Sequence, residues 1–249
     1  VADPWLVLPL AVLIGVVLGA LGSGGAILAL PVLVYVAGLP VRQAVAVSQL
    51  VVGLASLVGT LLQFRTGRIA WREVLLFALV GIPATRVGTF VATRVEAQLL
   101  MIGFAGVMIA AGSRMLLTTS KAEGGQRSRI WISLMAGLLV GFLTGFLGVG
   151  GGFLLVPALI ALAGLDAKQA TATSLPVIAV NTLSGAMQQS EQWLGVAGLA
   201  FSFLGATLVG TFVGLRWGSL ASEAKLRQAL GMILVAVGIV VGVLNALRF

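Results

Sequence analysis

Ten apolar runs, separated mostly by short polar loops, make up almost the whole chain. They fall at residues 5–21, 26–37, 41–62, 74–92, 97–117, 130–147, 153–163, 167–187, 195–215 and 226–247. A helix needs about 20 apolar residues to cross the hydrocarbon core of a bilayer, and most of these runs meet that length. The second and seventh are shorter, which predicts broken or half-helices. Of the 249 residues, 59% are hydrophobic and 9% charged. A soluble domain carries about 25% charged residues, so a water-soluble fold is excluded. The expected class is an all-α polytopic membrane protein.

The runs form two groups of five, and the groups are copies. A shift of 126 residues lays 19–64 on 145–190 without a gap, with nineteen of 46 positions identical. The matches include Gly22/Gly148, Gly24/Gly150, Gly25/Gly151, Pro31/Pro157, Gly38/Gly164, Ser48/Ser174, Gly59/Gly185 and Gln63/Gln189. Shared apolar composition alone does not align glycines, prolines, serines and glutamines at one offset. The chain therefore divides into a first repeat (1–117), a polar linker (118–129) and a second repeat (130–249).

Charge fixes the relative orientation of the repeats. If every run crosses, one side collects eleven Lys and Arg, among them Arg65, Arg114, Arg129, Lys168 and Arg216, and the other only Arg42, Arg94 and Arg248. Cytoplasmic loops carry the basic excess. Five crossings per repeat then turn the second copy upside down, with both termini outside and the linker cytoplasmic. The expected location is the cell membrane, as a multi-pass protein. The five tryptophans sit at run ends, as an interfacial belt requires. All seven acidic residues lie at or beyond run ends. The net charge of +8 is explained by these loops, and no basic stripe interleaved with aromatics points to nucleic acid. The segment ahead of the first run lacks the positive stretch of a cleavable signal peptide.

Several chemistries are excluded by absence. The chain has no His and no Cys, so Ser–His catalysis, thiol catalysis and Cys/His zinc sites cannot form. No lysine lies inside a run, which removes the Ser–Lys alternative. An enzyme is not expected, nor any metal or cofactor.

Three features can hold a ligand. The first is the paired turn Gly22-Ser23-Gly24-Gly25 and Gly148-Val149-Gly150-Gly151-Gly152, each ahead of a short run. A glycine turn opening a helix presents free N–H groups and the positive end of the helix dipole to an anion. Tight helix packing is the competing account, because Gly15-x-x-x-Gly19 and Gly141-x-x-x-Gly145 are small-xxx-small faces. The second is the polar content of runs three and eight, above all Ser48, Gln49, Ser174 and Asn181. Ser174, Asn181 and Gln188 recur every seven residues and share a helix face. As repeat partners, Ser48 and Ser174 are expected to face each other. Interhelical hydrogen bonding is the alternative role. Pro176 is expected to open the eighth helix. The third is Arg86, the one ionisable residue well inside a run; it either attracts an anion or snorkels.

The motif Leu21-Gly22-Ser23-Gly24-Gly25…Pro31, repeated as Leu147-Gly148-Val149-Gly150-Gly151-Gly152…Pro157, resembles the TauE/SafE sulfite exporter family, also called the 4-toluene sulfonate uptake permease family. The resemblance extends over essentially the whole chain. It implies transport of a small sulfur oxyanion or organosulfonate, with Gly22, Gly24, Gly25, Gly148, Gly150 and Gly151 as motif glycines. The expected mechanism is alternating access around a midplane anion site between the repeats. With no carboxylate or histidine inside a run, uncoupled or potential-driven export is expected. An anion channel and a non-transporting accessory protein are the rival functions. Assembly into a homo-oligomer is left open by the sequence.

Overall fold

The computed structural model describes residues 4–21, 26–64, 67–117, 130–147, 152–161, 163–217 and 223–246. In chain order the helices are α1 (Pro4–Leu21), α2 (Ala26–Pro31, continued by a π-helical turn, Val32–Val36), α3 (Val41–Gln63), α4 (Trp71–Arg94), α5 (Ala97–Leu117), α6 (Ile130–Leu147), α7 (Gly152–Ala161), α8 (Ala167–Gln188), α9 (Ser190–Leu194), α10 (Ala197–Trp217) and α11 (Glu223–Ala246). No strand occurs among the described residues. Each apolar run carries a helix whose ends lie within three residues of the run's own, and the short α9 is additional. Helices at Val41–Gln63, Trp71–Arg94, Ala97–Arg114, Ile130–Leu147 and Ala197–Arg216 are long and apolar enough to cross a membrane. The fold is that of a multi-pass, all-helical membrane protein.

The short helices end alike. Gly38 and Gly164 adopt φ of 70° and 68°. Leu39 N–H donates to Leu33 O at 3.0 Å, and Leu165 N–H to Leu159 O at 3.2 Å. In both, the N–H after the glycine reaches back to a carbonyl six residues earlier, and the left-handed residue at the corner is unstrained as glycine. The helices that follow start differently. Pro40 precedes α3 without a side-chain cap, whereas Asp166 accepts the Gln169 N–H at 2.8 Å. Pro176 does not open α8, which runs unbroken from Ala167 to Gln188. The expected break is overridden by burial: residues 172–179 are all buried among neighbouring helices.

Packing joins elements of one half to elements of the other. The closest associations are α4 with α6, α1 with α10, α5 with α11 and α3 with α8, followed by α4 with α8 and α3 with α10. In lipid no hydrophobic drive brings helices together, so small residues that admit close backbone approach set the contacts. A methyl group on Gly145 would lie 1.9 Å from Thr85 O, and one on Gly15 would lie 2.0 Å from Thr207 O. Gly88 and Gly210 are as tight, against Phe142 O at 2.2 Å and Val12 O at 2.0 Å. The order of these contacts makes α4 parallel to α6 and α1 parallel to α10. Gly112 against Gly231 and Gly238 against Ile109 make α5 and α11 antiparallel. Threonines line both parallel pairs but bond differently. Thr85 Oγ1 donates across to Gly141 O at 3.0 Å, while Thr207 Oγ1 donates back to Phe203 O in its own helix at 2.8 Å.

Candidate functional site

The α3–α8 contact holds the buried polar residues. Ser48, Gln49 and Ser56 on α3, and Thr173, Ser174 and Thr182 on α8, are fully buried, and Asn181 is 2% exposed. The two helices run antiparallel. Gln49 lies against Gly185, Gly53 against Thr182 and Leu183, and Gly59 against Leu175.

Gln49 joins three elements. Its Nε2 donates to Thr144 O on α6 at 3.3 Å, and its Oε1 accepts from Gln189 Nε2 at 3.2 Å. Gly185 leaves the room for this amide, since a methyl there would lie 2.5 Å from Gln49 Oε1. Asn181 sits one turn away on α8 and packs on Gly81 of α4, where an added methyl would come within 2.7 Å of its amide. Arg86 is exposed, and its Nε donates to Ser184 Oγ at 3.3 Å. Asn181, Ser184 and Gly185 thus gather Arg86 and Gln49 around the C-terminal half of α8.

Three oxygens of this contact have no hydrogen-bond partner although buried: Ser48 Oγ, Ser56 Oγ and Asn181 Oδ1. An unmade buried hydrogen bond costs about 1–3 kcal/mol. Their repeat counterparts are not in that condition. Ser174 Oγ donates to Thr171 O at 2.8 Å, and Thr182 Oγ1 to Ile178 O at 2.7 Å.

The expected facing of Ser48 and Ser174 does not occur. Ser48 neighbours Gln49 at the Gly185 level, and Ser174 neighbours Leu175 at the Gly59 level. Gln49 and Gly59 are ten residues apart, about 15 Å of helix rise. Antiparallel repeat partners lie at opposite depths, not at one level. Glu73 lies at the end of its apolar run, as expected, in the first turn of α4. It is 5% exposed, with Oε2 unpartnered and Oε1 3.6 Å from Arg72 Nη1. The six motif glycines, Gly22, Gly24, Gly25, Gly148, Gly150 and Gly151, lie outside the described residues.

A cleft of about 280 Å³ opens beside this cluster, between Arg42 and Thr93 on one wall and the run 188–192 on the other. Arg42 Nη2 donates to Thr93 O at 3.0 Å. Gln189 belongs to the cleft lining and also bonds Gln49, so a single amide separates the cleft from the buried cluster. The sequence reading missed Gln189 as a site residue. Its repeat match to Gln63 was the available signal, because a glutamine kept in both copies at the end of a polar helix face is not a random loop residue.

The sulfite exporter TauE/SafE family model matches residues 7–241. The chain belongs to the sulfite exporter TauE/SafE family. A probable membrane transporter protein of Xylella fastidiosa strain Temecula1 is 32% identical over 242 residues, covering 92% of this chain and 91% of the relative. Its counterpart in strain 9a5c is 30% identical over 241 residues, with the same shares. A probable membrane transporter protein of Methanocaldococcus jannaschii is 25% identical over 191 residues, 72% of this chain and 71% of its own. No solved structure matches the chain. As a TauE/SafE member with several membrane-length helices, the chain is a membrane transporter. Among the described residues, α3 and α8 carry nine of the buried polar side chains.

Proposed function

We propose that this TauE/SafE transporter exports a small sulfur-containing anion, a sulfur oxyanion or an organosulfonate, by alternating access across the cell membrane. The carrying observation is the pair of buried, unpartnered hydroxyls at Ser48 and Ser56 in a contact that otherwise satisfies its hydroxyls. Serine hydroxyls donate to an oxyanion without bringing a fixed charge into the lipid; Asn181 Oδ1 only accepts, so in this reading that side chain contributes through its Nδ2–H. Arg86 raises the local potential beside them. The motif glycines Gly22, Gly24, Gly25, Gly148, Gly150 and Gly151 are kept as backbone donors in this reading, and Gln49 closes the polar end of the site; Ser174, whose hydroxyl already bonds Thr171 O, lies outside it.

The two five-helix halves act as inverted repeats in this mechanism. Exchanging the halves turns the parallel α1–α10 pair into the parallel α6–α4 pair, and it maps the antiparallel α3–α8 and α5–α11 pairs onto themselves. That pattern is what a two-fold axis in the membrane plane produces. Both termini and the Arg42 cleft then face outside, and residues 118–129 face the cytoplasm. The membrane potential drives anions outward by about 2.3 kcal/mol per charge per 100 mV, which supplies export without a coupled ion.

Thermal unfolding of the purified protein with sulfite, thiosulfate, sulfoacetate, sulfate and aryl sulfonates tests the reading, because a bound ligand raises stability by mass action. At least one sulfur anion is expected to stabilise the wild type, and the Ser48→Ala/Ser56→Ala double variant is expected to lose the shift. No shift from any anion would favour the accessory-protein alternative. Single-channel conductance in planar bilayers would favour a channel.

A second reading, proton coupling, has Glu73 in its favour, a buried carboxylate with one oxygen unpartnered. Flux that follows a pH gradient at clamped voltage and is lost in Glu73→Gln would replace the uncoupled mechanism.

A further inference from the structure

Gln189 is bonded to a fully buried glutamine and at the same time lines an open cleft. The cleft carries one guanidinium, Arg42, and one carboxylate, Glu191. Its remaining donors are neutral: the amides of Gln188, Gln189 and Gln192 and the Ser190 hydroxyl, since the Thr93 hydroxyl already donates to Phe90 O. Beside it lies a smaller recess of about 20 Å³, which shares Arg42, Thr93 and Gln189 with the cleft and is otherwise walled by Val41, Val45, Ala92 and Leu100.

We propose that this cleft and recess form an outer binding site for a monoanionic organosulfonate with a short alkyl tail, next to the Gln49 end of the buried cluster. The proposal deepens the anion-transport reading and rests on it. Three features define the ligand.

The first is charge. Arg42 is the single cation of the lining and Glu191 its single carboxylate, so the guest meets one guanidinium among otherwise neutral N–H and O–H groups. A dianion entering it would lose hydration without a second cation to compensate, whereas a monoanion needs only the guanidinium and the amides. The second is size. The cleft is many times larger than the roughly 10–15 Å³ a single water needs, enough for a sulfonate group with part of its water shell. The third is the recess, which accepts one methyl-sized group between apolar side chains, as its volume exceeds the roughly 10–15 Å³ a single water needs. A polar cleft joined to an apolar notch fits an amphipathic anion and leaves the notch unfilled by an inorganic one. Gln189 connects this site to the transport route. Releasing its bond to Gln49 Oε1 frees the Gln189 Nε2–H for the guest.

The absence of native cysteine makes the site directly readable. In the full-length chain carrying Gln192→Cys, the rate of modification by a neutral methanethiosulfonate reagent is measured with ethanesulfonate or sulfate at equal ionic strength. Ethanesulfonate is expected to slow modification by about fivefold or more and sulfate to have little effect. Adding Arg42→Gln should abolish the protection. Adding Glu191→Gln should create protection by sulfate, a gain that a misfolded protein cannot imitate. Protection by sulfate equal to that by ethanesulfonate would overturn the charge argument. Absence of ethanesulfonate protection in a protein that ethanesulfonate still stabilises thermally would overturn the outer site and leave the transport reading standing. Absence of both effects, with every other sulfur anion also inert in the thermal test, would overturn the two together.

Discussion

At one end of the α3–α8 contact a glutamine rests on a glycine, and at the other a leucine does. Gln49 packs on Gly185, and Leu175 packs on Gly59. These are the same contact built twice, since Gln49 and Leu175 are repeat partners, as are Gly185 and Gly59. The polar end adjoins the Arg42 cleft through Gln189. At the apolar end, a methyl added to Gly59 would meet only the branched tip of Leu175, at 3.3 Å. Duplication has preserved the backbone geometry and let the chemistry diverge. The parallel pairs teach the same lesson. Arg94 stacks on Phe90 and Arg216 on Phe212 in both copies, yet Thr85 bonds across its helix pair and Thr207 bonds within its own helix.

The shared scaffold is the part whose loss has the largest effect. Gly145→Val and Gly15→Val each drive a side chain into a neighbouring backbone carbonyl, at 1.9 and 2.0 Å for the first carbon alone. Each is expected to cost about 3 kcal/mol or more and to abolish monodisperse protein in detergent. A folded Gly145→Val protein would show that the two helices do not meet there.

Making the two ends alike comes next. Gln49→Leu copies the apolar end onto the polar one. Hydrogen bonds to a charged group are worth roughly 1.5–3 kcal/mol each, so sulfonate flux should fall by about tenfold or more. Retained flux would deny the polar end its role. The reciprocal Leu175→Gln buries an amide that has no prepared partner. It should lower thermal stability by about 1–3 kcal/mol and leave sulfonate affinity unchanged. The smallest contrast is between the two serines. Ser48→Ala is expected to weaken binding about fivefold, because its hydroxyl is unpartnered, while Ser174→Ala should change it less than about twofold, because that hydroxyl already bonds Thr171 O. Equal effects in titrations would erase the distinction between the copies.

Much of the fold was legible in the sequence because the bilayer imposes its own grammar. Apolar run length locates the helices, and a fixed offset of 126 residues exposes the duplication. Buried Ser48, Gln49, Ser174 and Asn181 were readable for the same reason, as polar residues inside apolar runs stand out. Depth was not legible. Charge gives the opposite directions of the two helices, but whether two repeat partners meet depends on the level at which the helices cross, which residue types do not encode; Ser48 and Ser174 lie about three turns apart. The burial of Glu73 was not legible either: the acid lies at the end of its apolar run, in the first turn of α4, yet is 5% exposed. Gln189 escaped because it lies just past the end of α8, where a glutamine has the look of an ordinary loop residue.

Electrogenic efflux of a labelled sulfonate from proteoliposomes, with voltage set by a potassium gradient and valinomycin, tests the central claim most directly. The wild type should show saturable efflux that rises with voltage, and Gln49→Leu should lose most of it in protein that folds normally. Efflux indifferent to voltage, or identical in the two proteins, would contradict an anion leaving by way of the polar end of α3 and α8.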